Sequence, residues 1–337
     1  IKVNRVRAFD TSNAGTVQAT GFVVDAERGL ILTNRHVAGP GPVVADAIFQ
    51  DNEEVPLTVV YYDPVHDFAF FKFDPAQIKH MKLHELPLAP EEAAINSEIV
   101  IIGNNAGEKC SISRTTLSRL DRNAPTYSRS SGYNDFNTFY FHSASSTTGG
   151  SSGSPVLNVR GHAIALNAGG KVGTSAGFFL PLDRVARVLR LIQREQPIPR
   201  GTVQMVCVHS TFDEARQLGL PAHIEASVRA RCSSARGMLV ITEVLPDGPA
   251  SRSGLQPGDV MLGMCGEPCD SFVTLEETLD SHVGGTLSVS VCRGGETAEK
   301  ECIVDDLHAL TPYEYFEVGG AVLNELSYQQ ARNYGMA

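Results

Sequence analysis

Between residues 16 and 180 the chain is cut into short apolar runs by turn-forming residues, and almost none of it carries a helical period. The runs expected to be strands are Val17–Val24, Leu30–Thr33, Val43–Phe49, Val55–Tyr61, Phe68–Phe73, Glu98–Ile102, Ile112–Leu120, Thr138–His142, Pro155–Leu157, His162–Leu166 and Ala176–Leu180. A strand this short buries little by itself. Many of them, separated by Gly, Asp and Asn, must close on one another as barrels or a sandwich. Two stretches resist that pattern. Residues 122–137 read as a long polar surface loop, a kind that is often functional, and residues 143–153 are almost wholly Ser, Thr and Gly.

After Pro181 the period changes. Val185, Val188, Leu189 and Ile192 fall at helical spacing, with Arg184, Arg187, Arg190 and Arg194 elsewhere around the helix and Asp183 as N-cap. That helix closes a first domain, residues 1–196, and residues 197–202 form a Pro-rich linker. A second domain, residues 203–305, mixes a strand from Gly237 to Leu245 and strands around Leu287–Val291 and Ala298–Val304 with a helix near Leu275–Ser281. Residues 306–337 begin a further pattern that stops at Ala337, which reads as a truncation, and the start at Ile1 without a Met reads as a processed form or fragment.

Hydrophobic residues at 42% and charged residues at 20% suit a globular protein rather than a disordered one. A net charge of −10 without a basic run argues against nucleic acid as a partner. No apolar stretch of the roughly 18 residues needed to span a membrane occurs. The seven cysteines, Cys110, Cys207, Cys232, Cys265, Cys269, Cys292 and Cys302, are odd in number and scattered, as free thiols in a reducing intracellular compartment would be. Cys265-Gly-Glu-Pro-Cys269 lacks a second ligand pair, so no metal is expected, and no cofactor motif is present.

Gly149-Gly-Ser-Ser-Gly-Ser-Pro155 is a nucleophile-loop candidate, and Leu32-Thr-Asn-Arg-His36-Val with Asp63-Pro-Val-His-Asp67 supplies a histidine and a carboxylate before it. A serine hydroxyl is a weak nucleophile until an imidazole takes its proton, and the imidazole needs a carboxylate to fix its tautomer. The order His, Asp, Ser is that of the chymotrypsin-type double barrel. Ser152 is accordingly read as nucleophile, His36 as base and then acid, and Asp67 as orienter. The amides of Gly150 and Ser152 would form the oxyanion hole. Singly, each residue has a plain structural reading: surface histidine, turn aspartate, flexible Ser-Gly connector. His66 precedes a strand and should point away from the Asp67 side chain. Gly149-Gly-Ser151-Ser-Gly153 also satisfies the esterase elbow, but a proline and a strand follow where that elbow needs a helix.

These residues resemble the HtrA (Deg-type) serine proteases, a trypsin-like domain followed by PDZ domains. Thr20-Gly-Phe-Val-Val and the three catalytic segments carry the likeness in the first domain; Gly248-Pro-Ala and Gly254-Leu-Gln-Pro-Gly-Asp-Val carry it in the second. Tyr133-Asn-Asp-Phe-Asn-Thr, Arg200-Gly-Thr and Leu326-Ser-Tyr-Gln-Gln-Ala-Arg look like the large eukaryotic branch, with its fungal nuclear and long plant chloroplast members. The resemblance implies two six-stranded all-β chymotrypsin-like barrels followed by an α+β PDZ domain. It implies ATP-independent cleavage of unfolded or damaged proteins, a trimer-based homo-oligomer, and a nuclear or chloroplast-stroma location. Leu166, Asn167 and Ala168 would line the specificity pocket, whose base position is Ser146, giving an aliphatic preference. Gly237, Met238, Leu239 and Val240 would be the PDZ loop that holds a peptide C-terminus or internal strand. Ser154 departs from the family's glycine beside the nucleophile. A catalytically silent holdase or peptide scaffold on the same fold is the alternative.

Overall fold

The computed structural model describes residues 1–107, 110–125, 134–144, 149–170, 176–231 and 236–334. Tyr133, Ser146 and Cys232 lie outside the described residues. Two compact units are present: Ile1–Asp135 with Phe139–Ile198 and Pro312–Gln330, and Phe136–Thr138 with Pro199–Thr311 and Ala331–Ala337.

The first unit opens with β1 (Lys2–Arg5), β2 (Gly15–Gln18), β3 (Phe22–Asp25), β4 (Leu30–Thr33), a single helical turn α1 (Arg35–Ala38), β5 (Val43–Ile48), β6 (Glu54–Tyr62) and β7 (Ala69–Lys72). They form a seven-stranded sheet in the order β2-β1-β5-β6-β7-β4-β3. The expected single strand over residues 17–24 is split. At Gly21 an added Cβ would lie 2.4 Å from Ile1 Cδ1 and 2.7 Å from Ile31 Cγ2, and the chain changes direction there to build β2 and β3 separately. The five expected runs thus become seven strands, one added by that split and one by β1, which pairs with both β2 and β5, where the resemblance implied a six-stranded barrel.

A closed six-stranded barrel follows, made of β8 (Glu98–Gly103), β9 (Ser111–Asn123), β10 (Phe139–Ser143), β11 (Pro155–Asn158), β12 (Ala163–Gly170) and β13 (Gly177–Pro181). Helix α2 (Asp183–Gln193) covers it with Val185, Val188 and Leu189 buried. Its N-cap is Leu182, not Asp183, which stands in the first turn, where a carboxylate still complements the helix dipole. Strand β4 shows how the two halves share one interior. Ile31 packs into the core of the first sheet with Val3, Val37 and Phe71. Its neighbours Leu30 and Leu32 join Tyr140, Leu166, Leu180 and Val185 on the other side. Alternation along a strand buried on both faces produces this division.

The second unit contains β14 (Gly201–Thr202), β15 (Met205–Thr211), α3 (Phe212–Gln217), α4 (Ala222–Arg231), β16 (Gly237–Val244), α5 (Pro249–Ser253), β17 (Val260–Met264), β18 (Glu267–Pro268), α6 (Phe272–Ser281), β19 (Thr286–Arg293), β20 (Glu296–Ile303) and β21 (Asp305–Asp306). Its main sheet runs β15-β16-β17-β19-β20, with β18 on β17. The strand expected from Gly237 forms, and it takes in the residues that the resemblance assigned to a peptide-holding loop. Gly237, Met238, Leu239 and Val240 are the first residues of β16, an inner strand paired to Thr211, Ser210, His209 and Val208 of β15. A run of buried apolar residues after one glycine serves a sheet interior here, and its main chain is taken up by the ladder. The end strand is β15, and the Asn137 side chain bridges its first half, donating to the Met205 carbonyl at 3.3 Å and accepting from the Cys207 amide at 2.8 Å.

Candidate active site

Strand pairing brings the first two candidate residues together. Thr33, the last residue of β4, pairs with Ala69, the first of β7. His36 and Asp67 therefore leave the same end of the sheet on adjacent strands. The His36 amide donates to Asp67 Oδ1 at 3.0 Å, and His36 Nδ1 lies 2.8 Å from Asp67 Oδ2. A carboxylate only accepts, so Nδ1 carries the ring proton, and in the neutral ring Nε2 is left as the base. The Asp67 carboxylate is wholly buried while the His36 side chain remains 33% exposed.

Asp67 is held by its main chain as well. Its carbonyl accepts from Asn34 Nδ2 at 2.9 Å, and its amide donates to Asp135 Oδ2 at 3.2 Å. Asp135 in turn accepts from the Tyr140 hydroxyl at 2.6 Å. The turn before Asp67 is organised by Asp63, whose Oδ1 accepts from the Val65 and His66 amides at 2.9 and 2.7 Å. His66 is buried and turned away from the site, with Nδ1 3.6 Å from Asp63 Oδ1 and Nε2 3.1 Å from Arg184 Nη1.

Ser152 sits in a turn between residues 149 and 154, immediately before β11. Two glycines in it adopt left-handed backbone. Gly150 has φ +93° and an added Cβ would stand 2.2 Å from the Asn104 carbonyl; Gly153 has φ +82° and would meet the Thr20 carbonyl at 2.0 Å. No other residue fits either place. The turn is tied to the first sheet through Thr20. The Thr20 amide donates to the Ser152 carbonyl at 2.8 Å, and its hydroxyl donates to the Gly150 carbonyl at 2.9 Å. Thr33, three residues before His36, donates its hydroxyl to the Thr20 carbonyl at 2.8 Å. Ser154 is fully buried with its Oγ over Gly103, where an added Cβ would lie only 1.9 Å away. The extra side chain at 154 is thus accommodated by a missing one at 103.

The segment expected to line a pocket is buried: Leu166 and Ala168 join the interior described above. Asn167 is different. Its Nδ2 donates to the Ser151 carbonyl at 2.7 Å, its own carbonyl accepts from the Gly153 amide at 2.9 Å, and its amide donates to the Ser154 carbonyl at 2.9 Å. In a trans peptide the C=O and N–H point in opposite directions. Pinning the Ser151 oxygen toward Asn167 therefore aims the Ser152 N–H away from it. A register shift between Asn167 and Gly169 on β12 gives the local bulge that turns this side chain. Asn167 and Asp135 both stand in the motifs above, yet neither role has a sequence signal, because the contacts with Ser151, 16 residues away, and Asp67, 68 residues away, follow from the fold and not from a local pattern.

Residues 19–166 match the trypsin-like peptidase domain family, residues 216–286 the PDZ domain family, and residues 309–337 a PDZ-like domain family. A trypsin-like peptidase domain followed by PDZ elements is thus the class that fold and site define. The chain is 50% identical over 345 aligned residues to Protease Do-like 7 of Arabidopsis thaliana, covering 99% of this chain and 31% of that protein. It is 51% identical over 331 residues to the pro-apoptotic serine protease nma111 of Aspergillus terreus, covering 98% of this chain and 32% of that protein. Within the class, the chain belongs to the HtrA-type, or Do-like, serine proteases. It spans about a third of the length of these curated relatives. Among solved structures, the HtrA-type protease AlgW with a tripeptide shares the fold at a TM-score of 0.64 and 21% identity, over 90% of this chain and 92% of that one. The serine endoprotease from Yersinia pestis does so at 0.57 and 19%, over 90% and 93%.

Proposed function

We propose that this chain carries the catalytic part of an ATP-independent serine endopeptidase that cleaves unfolded or damaged proteins. Ser152 is the nucleophile, His36 the general base and then acid, and Asp67 the group that holds the imidazole. The observation that carries this reading is the buried Asp67 carboxylate 2.8 Å from His36 Nδ1, supported by the left-handed Gly150 and Gly153 in the turn that contains Ser152. As Ser152 Oγ attacks a peptide carbonyl, its proton passes to His36 Nε2 and the resulting imidazolium is stabilised by Asp67. The tetrahedral oxyanion is taken by the Gly150 and Ser152 amides, the latter oriented through Asn167. The imidazolium then returns its proton to the departing amine, and water repeats the sequence on the acyl-enzyme.

The pocket is bounded by the β12 segment Leu166–Ala168 and suits aliphatic side chains, with Leu166 and Ala168 supporting it from the interior. In the second unit, β15 is the end strand, the position from which a peptide is added as a further strand. The working form is a homo-oligomer, and its compartment is the nucleus or the chloroplast stroma, the settings of the branch it resembles.

The test is degradation of casein by the intact protein and by Ser152→Ala. Loss of the nucleophile should slow cleavage by about a million-fold. Equal rates, or no cleavage together with suppression of casein aggregation by both proteins, would replace this reading with a holdase.

A further inference from the structure

Among the described residues two thiols are exposed, Cys110 and Cys265. Cys265 has an imidazole as its neighbour. Its Sγ lies 3.7 Å from His282 Nε2, and His282 Nδ1 lies 2.8 Å from the Thr278 carbonyl oxygen. A carbonyl only accepts, so Nδ1 carries the ring proton and the lone pair of the neutral ring is on Nε2, facing the thiol. The S–H proton therefore has a base to go to.

Both partners are fixed in place. Cys265 and Gly266 form the two-residue reversal between β17 and β18, across which Met264 pairs with Glu267, and the Cys265 amide donates to the Ser288 carbonyl at 2.9 Å. His282 caps the C-terminal end of α6, its amide donating to the Leu279 carbonyl at 3.0 Å. The reversal has φ +53° at Cys265 and +79° at Gly266. That geometry favours Asn-Gly, and a cysteine there has no conformational advantage. The buried thiols are the opposite case. Burial raises Cys207, Cys302 and Cys269, the last to about 12, and keeps them protonated and shielded.

We propose that Cys265 and His282 form a thiol–imidazole pair that is a site of reversible oxidation, taking hydrogen peroxide and then glutathione. The thiolate, not the thiol, is the nucleophile. With its proton on His282 Nε2, the sulfur attacks one peroxide oxygen; the S–O bond forms, the O–O bond breaks, and the departing hydroxide takes the proton from Nε2 and leaves as water. Sulfur is oxidised by two electrons to the sulfenic acid and the peroxide is reduced. Glutathione thiolate then attacks that sulfur and displaces hydroxide, which leaves as water with the proton of the glutathione thiol, giving a mixed disulfide that excess thiol reverses. This pair is independent of the proteolytic reading and would operate whether or not Ser152 cleaves anything.

The experiment is time-resolved alkylation of the reduced, full chain with isotope-coded iodoacetamide at neutral pH, read peptide by peptide by mass spectrometry. Cys265 should label at least about tenfold faster than Cys110. His282→Gln, which keeps a polar side chain but removes the base, should bring Cys265 to the Cys110 rate and leave Cys110 unchanged. Unfolding the wild-type chain in urea should also equalise the two rates, which guards against a variant that fails to fold. With hydrogen peroxide and glutathione added, the adduct should appear on Cys265 before Cys110 or Cys232. Equal rates in the native chain, a fast Cys265 that survives His282→Gln, or first adduction at another cysteine would overturn the proposal.

Discussion

Asn167 separates two accounts of the same strand, and replacing it decides between them. If the residue is a pocket wall, Asn167→Ala alters which peptides bind. If it orients the oxyanion donor, the change strikes the chemical step. The Ser151 carbonyl is held at 2.7 Å by Asn167 Nδ2 and at 3.1 Å by the Ser154 amide. The shorter bond is lost in the variant, and a buried acceptor deprived of one partner costs about 1–3 kcal/mol. The Ser151–Ser152 peptide is then free to rotate, taking the Ser152 N–H off the oxyanion. Loss of one such donor lowers kcat by about 10²–10³, the range expected here. KM should hardly move, since the oxyanion exists only beyond the ground state. The assay is steady-state hydrolysis of a fluorogenic peptide with an aliphatic residue before the cut, with active sites counted by a fluorophosphonate and folding checked by thermal melt. Equal falls in kcat and kcat/KM support the positioning role. A raised KM at constant kcat, or altered side-chain preference at full turnover, would refute it.

Asp67→Asn should retain the fold and reduce turnover by about 10⁴, because the amide no longer selects the Nδ1–H tautomer; single-turnover acylation rates would show it. Gly153→Ala should abolish proteolysis and destabilise the chain by at least about 1 kcal/mol, since left-handed backbone at +82° and a contact at 2.0 Å with the Thr20 carbonyl both oppose a Cβ; urea midpoints measure this. Cys265→Asn should stabilise the chain by about 1 kcal/mol by suiting the left-handed reversal, and an unchanged midpoint would count against the strain assigned there. Burial, with Asp270 and Glu276 nearby, lifts the Cys269 thiol to about 12. The folded state keeps this proton where the unfolded chain releases it, so the contribution is complete below pH about 9 and is lost toward pH about 12. Midpoints at mildly and strongly alkaline pH should therefore fall less steeply in Cys269→Ala than in the wild type.

Much of the first unit was legible because short alternating runs have few ways to bury themselves, and the contexts around His36, Asp67 and Ser152 are local. What escaped is long-range. Nothing between Val17 and Val24 announces that Gly21 must clear Ile1 and Ile31, so two strands read as one. The run from Gly237 reads as a strand from its own apolar residues, but that it is an inner strand is written in residues 208–211 of its partner β15. The resemblance gave Leu166-Asn-Ala168 one role as a pocket lining, and no local pattern told of the bond from Asn167 Nδ2 to the Ser151 carbonyl beside a bulge on β12. Asp135 stood in a motif without a role until the fold placed its carboxylate against the Asp67 amide.

The Thr20 tether has a further consequence for how the molecule comes alive. The hydroxyl bond from Thr20 to Gly150 joins residues 130 positions apart, so the reactive turn acquires its shape only after the earliest strands have settled and the later barrel has closed onto them. On the proposed reading, a nascent chain that has not reached residue 150 would carry no shaped serine turn, and loosening the Thr20 contact later would undo that shape again.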